Sequence, residues 1–323
     1  MKRTLSLSLA VALLAFVALS AARLSNTAYA QNGNGNGPGE GAGVPETIKH
    51  SANPHDIGAQ PTAGGTGSLS PITYHGGALI STPTAYVIWY GNWAQSNGSD
   101  NAAGQQIVRD FLSSVGNSPY YNINTTYSVS GKTITGNVVR GAETTDAYSQ
   151  GSRLRDAGIL TVVNNAINSG RLPYDGNGVY FVLTSSDVAE SSGFCSQYCG
   201  WHTAGTATQG HVRYSFVGNA NRCLSSCAAQ TVSPNNNAGV DGMISVIAHE
   251  LEETNTDPDP RSGWADSSGA ENGDKCAWTF GSSQTKLANG SYANMTLGSR
   301  WFLIQRNIDT RDNKCYVALG GAQ

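Results

Sequence analysis

The chain is short of charge. Asp, Glu, Lys and Arg together make up 13% of its 323 residues, about half of the ~25% usual for a soluble domain. Its 19 Lys and Arg do not outnumber its 22 Asp and Glu. A nucleic-acid binder that works by neutralising phosphates needs a basic face, so that class is excluded. An acidic disordered chain is excluded from the other side, because 39% hydrophobic content with 6 Trp and 14 Tyr can fill a core. After the first thirty residues no apolar run reaches membrane-spanning length. No repeat of fixed period occurs. There is no G-x-S-x-G elbow, no G-x-x-x-x-G-K-[ST] cradle and no strand-linked G-x-G-x-x-G, which removes the common serine-hydrolase and nucleotide-binding readings.

What the chain does have begins with an address. Lys2 and Arg3 precede an apolar run from Leu5 to Ala22, and Ala28-Tyr29-Ala30 supplies a small-x-small cleavage pattern. Residues 1–30 are therefore expected to be a signal peptide and the protein to be secreted, with a mature net charge of −6 from 16 bases and 22 acids. Residues 31–68 are rich in Gly, Asn and Pro and are expected to be a flexible tether, with His50 and His55 as spacer residues. Residues 69–323 are expected to form one domain. Its six cysteines, Cys195, Cys199, Cys223, Cys227, Cys276 and Cys315, read as disulfides in an oxidising compartment rather than as a zinc ribbon. The expected pairing keeps the first four among themselves and joins Cys276 to Cys315.

Strand and helix patterns alternate. Thr84–Tyr90 and Val179–Thr184 are β-branched and aromatic runs; Lys132–Val139 and His211–Val217 read as further strands, the latter at a sheet edge. Ala102–Val115 and Leu154–Ile167 carry apolar residues at helical spacing. Short closing strands are expected at Phe302–Gln305 and Tyr316–Leu319. The fold class is α/β (α+β), a single zincin-like domain with a mixed sheet.

The chemistry concentrates in VDGMISVIAHELEE, Val240–Glu253, a helix with Asp241 as expected N-cap. His249 and Glu253 are four residues apart and share a face, and Glu250 lies about 100° round. This is the HExxH zinc-helix pattern with Glu253 in place of the second histidine, and zinc accepts carboxylate oxygen as well as imidazole nitrogen. The third ligand is expected from Glu271 or Asp274, after a turn at Asp257-Pro258-Asp259-Pro260. Glu250 is the expected general base, and Glu252 is expected to face solvent. His202, His211 and Tyr214 could supply a fourth ligand or oxyanion stabilisation, but each reads more readily as structural, as does His75. A glycosidase pair made by Glu250 with Glu271 or Asp274 is disfavoured.

YHGG (Tyr74–Gly77), VIWYGNW (Val87–Trp93), FCSQYCGWH (Phe194–His202), VGN (Val217–Asn219), GVDGMISVIAHELEE (Gly239–Glu253) and ENGDKC (Glu271–Cys276) follow one another along residues 71–320. In these motifs and their order the chain resembles the Exordium family, also called phosphate-induced protein 1-like. The resemblance implies a secreted protein; the plant members are associated with extracellular control of cell expansion, and no reaction comes with it. The family's HELAE matches His249, Glu250 and Glu253, with its Ala at Glu252. Its E-x-G-D-x-C matches Glu271, Gly273, Asp274 and Cys276. The Gly/Asn-rich tether and a shorter stretch between Cys227 and Val240 are departures from it.

Three functions follow as expectations. One is a secreted zinc hydrolase, peptidase-like, in which Glu250 activates a zinc-bound water. Another is a non-catalytic extracellular signalling or wall-associated protein on a degenerate zincin scaffold. The last is a structural calcium site built from Glu253, Glu271 and Asp274, which a histidine ligand disfavours. The expected partners are an extracellular peptide, protein or cell-wall component, with no nucleic acid, no membrane span in the mature chain, and a monomeric state.

Overall fold

The computed structural model describes residues 70–321. The expected signal peptide and the whole of the expected tether, with His50 and His55, lie outside the described residues. Five strands form the central sheet: β1 (Thr84–Tyr90), β2 (Val139–Asp146), β3 (Gly178–Thr184), β4 (Gly200–Ala207) and β5 (Gly210–Gly218). Three long helices accompany them: α1 (Ala102–Ser114), α2 (Asp156–Asn168) and α3 (Ala238–Thr256). The strand order is β2-β1-β3-β5-β4. The first four strands in that order run parallel, and β4 pairs antiparallel with β5 at the edge.

TAYVIWY and GVYFVLT are apolar without alternation because β1 and β3 are central parallel strands with both faces covered. Parallel neighbours need long crossovers, and α1 and α2 supply two of them. β4 and β5 need only the Ala207–Gly210 hairpin, where Gly210 adopts φ +144°. The faces of β4 are set by its glycines. A Cβ on Gly200 would lie 2.5 Å from Val246 Cγ1 on α3, and one on Gly205 would lie 3.0 Å from Leu160 of α2. Five residues apart, these positions point to opposite faces, so α3 packs on one side of the sheet and α2 on the other.

α3 is buried along nearly its whole length, as expected of a helix in the centre of a domain. Its N-cap is Asn237, whose side chain accepts from Val240 N at 3.1 Å, so Asp241 lies in the first turn instead.

Several strand expectations are corrected. Lys132–Val139 is not a strand: Gly136 at φ +76° breaks it, Ile134 turns into a small core with Tyr127 and Cys276, and β2 starts at Val139. VRGAETTD carries few apolar residues because β2 is an edge strand. His211–Val217 lies within β5, which is interior, and the true second edge is β4. GWHTAGTA gave no strand signal because Gly and Ala are poor strand formers; close packing against two helices requires them there. The closing strands fall at Arg300–Phe302 and Lys314–Tyr316, in separate hairpins.

The disulfides are Cys195–Cys223, Cys199–Cys227 and Cys276–Cys315; the first four cysteines pair among themselves and Cys276 joins Cys315 as expected, the structure fixes the pairing within the first four, and no cysteine is left free for a ribbon. The last spans 39 residues and pins the segment that follows Glu271 to the C-terminal hairpin. Chain-entropy reasoning gives such a loop about 4 kcal/mol. Replacing both Cys276 and Cys315 by Ser is expected to lower unfolding free energy by about that amount in urea titration; an unchanged midpoint would contradict this clamp.

Candidate metal centre

The C-terminal half of α3 carries His249, Glu250, Glu252 and Glu253 into the interior, each at most 1% exposed. A helix C-terminus bears a partial negative charge, so its own dipole opposes these acids and favours a cation. Across from it, β4 contributes His202, fully buried. The segment after α3 returns with Glu271, 1% exposed, and Asp274, whose side chain is 11% exposed.

The groups meet at short range. His249 Nε2 lies 3.0 Å from Glu253 Oε1 and 4.0 Å from Asp274 Oδ1. His202 Nδ1 lies 3.4 Å from Glu250 Oε2 and 3.5 Å from Glu253 Oε2. On its other side, His202 Nε2 lies 3.5 Å from Glu271 Oε2 and 3.3 Å from the Asp257 carbonyl. Two sets of three have ligand atoms within 4.8 Å of one another: His249, Glu253 and Asp274; and His202, Glu253 and Glu271. Glu253 belongs to both.

The donor set fits zinc. Tetrahedral coordination with bonds of ~2.0–2.2 Å places ligand atoms about 3.3 Å apart, close to the separations above. Neither oxygen of Glu250, nor Glu253 Oε2, takes a hydrogen bond, although buried carboxylates ordinarily do. Calcium requires six to eight oxygens, and the two imidazoles count against it.

The expected residues therefore converge, with two corrections. Glu252 is fully buried instead of solvated. Burial pushes its carboxyl well above the usual carboxylate range, and it lies against Tyr120 and Asn307, which act in the opposite direction. His202 stands at the centre, where sequence spacing ranked it as structural; its signal was its place at the end of FCSQYCGWH, two residues after a strand glycine. His211, Tyr214 and His75 lie elsewhere. His211 is exposed and pairs with Asp259 at 2.6 Å, Tyr214 packs edge-on against Trp201, and His75 contacts the Ala265 carbonyl. Asp257 also enters the interior, where backbone N–H groups of Arg261, Ser262 and Gly263 donate to its carboxylate.

The ENGD loop seals this arrangement from above. A Cβ on Gly273 would lie 2.8 Å from Glu253 Oε1 and 2.9 Å from His249 Nδ1, and Asp274 N donates to Glu253 Oε1 at 2.9 Å. Glycine is required there for approach, not for conformation, since its φ is −63°.

Fold and site together define a mixed α/β protein, disulfide-clamped, with a buried histidine–carboxylate centre on its main helix. The family model described as phosphate-induced protein 1 conserved region matches residues 72–318, and the chain belongs to that family. Among its relatives, Exordium-like 3 from Arabidopsis thaliana is 34% identical over 223 residues, covering 60% of this chain and 64% of the relative. Exordium-like 5 from the same plant is 30% identical over 269 residues, 73% of this chain and 71% of the relative. Phosphate-induced 1 from Nicotiana tabacum is 28% identical over 227 residues, 58% and 65%. The chain thus spans about two thirds of the length of these relatives. No solved structure matches it.

The centre also sets a pH dependence. Burial pulls the His249 pKa down, but the charge of Glu253, helped by Glu250 and Asp274, outweighs it and raises it to about 10. Burial raises Glu253, and the neighbouring His249 charge holds it below the carboxylate range. A proton thus stands in for a cation when the centre is empty. With its folded pKa above the unfolded ~6.5, His249 stabilises fully below that pH and loses its contribution as pH climbs through about 10. Zinc requires neutral imidazole and displaces the proton. The melting temperature of chelator-treated protein is therefore expected to fall between pH 7 and 10 while the zinc-loaded protein holds. Parallel melting curves for the two would contradict the assignment.

Proposed function

We propose that this chain is a secreted zinc-dependent hydrolase acting on extracellular peptides or proteins. The observation that supports it most is the convergence of His249, Glu253 and Asp274 within 4.8 Å, with Glu250 one residue along the same helix and without a hydrogen bond to either oxygen. His249, Glu253 and Asp274 would hold the ion, so Asp274 serves as the third ligand and Glu271 lies with His202. Zinc in that position supplies Lewis acidity and lowers the pKa of a water towards ~7. Glu250 is the proton acceptor, a buried carboxylate with no hydrogen bond to either oxygen. His202, 3.4 Å from Glu250, orients it and can return a proton to a leaving amine. Secretion is supported by the leader-like first thirty residues and by three disulfides. Among the described residues no helix is long and apolar enough to cross a membrane.

A second reading has its own observation. Every ligand candidate except Asp274 is at most 1% exposed, and closed metal sites are ordinarily structural. On that reading the metal fixes α3 to β4 and the ENGD loop, and the protein works as an extracellular growth-signalling or wall-associated module without turnover.

Glu250→Gln separates the two. In a peptide-library digest the hydrolase predicts cleavage by the secreted protein and a loss of at least 100-fold in the variant, with metal content retained. No cleavage by the metal-loaded parent would favour the structural role.

A further inference from the structure

We infer that the centre holds two divalent cations bridged by Glu253, rather than one. The inference rests on the proposed metal-binding reading and goes beyond it in stoichiometry.

Glu253 presents its two oxygens to different partners. Oε1 faces His249 Nε2 at 3.0 Å, and Oε2 faces His202 Nδ1 at 3.5 Å. Each histidine brings its own second carboxylate: Asp274 stands beside His249 Nε2, the nitrogen that faces Glu253, and Glu271 stands beside His202 Nε2, the nitrogen opposite the one that faces Glu253. The outcome is two three-residue sets that share only Glu253. A carboxylate with one oxygen directed to each of two imidazole–carboxylate pairs is the arrangement that bridges paired metals, which in such sites sit ~3.5–4 Å apart.

Charge points the same way. Glu252 is directed to Tyr120 and Asn307, and the Asp257 carboxylate is taken up by backbone amides. Glu250, Glu253, Glu271 and Asp274 remain, four acids around two imidazoles, and three of the four are at most 1% exposed. One divalent cation matches two of these acids, whereas two cations match all four. Glu250, with both oxygens lacking a hydrogen bond and 3.4 Å from His202, lies beside this second position.

The experiment is zinc titration of the chelator-stripped, disulfide-intact chain by calorimetry, with elemental analysis of the dialysed product. The expected stoichiometry is two per chain, falling to one in His202→Asn and to one in His249→Asn, and to none in Glu253→Ala. Manganese loading adds a readout that does not depend on variant folding: two ions sharing a carboxylate give an exchange-coupled paramagnetic resonance spectrum in the parent protein. One zinc per chain with an uncoupled manganese spectrum would overturn the paired centre and leave the single-metal reading standing. No zinc at all would overturn both.

Discussion

The structure turns on the burial of carboxylates at the C-terminal end of one helix. Glu250, Glu252 and Glu253 are fully buried in α3, at the end whose dipole already repels negative charge. Transferring even one ionised carboxylate into such surroundings is costly unless something positive meets it. Two histidines are not enough for the acids that converge. On the proposed reading the centre demands a cation, and much of the surrounding architecture serves to hold the acids where they create that demand.

The supporting elements follow from that demand. β4 passes close over α3 because Gly200 has no side chain to keep it off, and this approach delivers His202. The ENGD loop reaches over His249 and Glu253 because Gly273 lets it. Cys276, three residues later, fastens that loop to Cys315, while Cys195–Cys223 and Cys199–Cys227 tie the approach to β4 to the short helix Leu224–Cys227 that packs on α3. Asn124 and Asn272 donate to the Glu252 carbonyl and so hold the helix end from its other side. Asn124 is buried in doing so, which removes it from the exposed acceptors that its Asn-Thr-Thr sequence would suggest for glycosylation.

The parts of this design legible in the sequence were those fixed by local periodicity. Thr84–Tyr90, Val179–Thr184, both amphipathic helices and the His249–Glu253 face are set by side-chain pattern along a single element. The disulfide partition matches the expectation, but the sequence alone does not choose among the fifteen connectivities that six cysteines allow. What escaped was set between elements. Glu252 reads as solvent-facing beside two other acids, and only the tyrosine-lined wall formed by Tyr120, Tyr121 and Tyr127 makes its position interior. β4 has the composition of a loop, and it is a strand because its two faces are pressed by different helices. His202 lies 47 residues before His249 in the chain, a distance over which no spacing rule operates.

If a metal cation balances the buried acids, it must be present in the purified protein and must depend on His249. Elemental mass spectrometry of the purified chain, dialysed without chelator and compared with folded His249→Ala, tests this most directly. At least one equivalent of zinc in the parent, diminished in the variant, is the predicted result. No metal in either protein, with both showing the same circular dichroism, would contradict the account at its root.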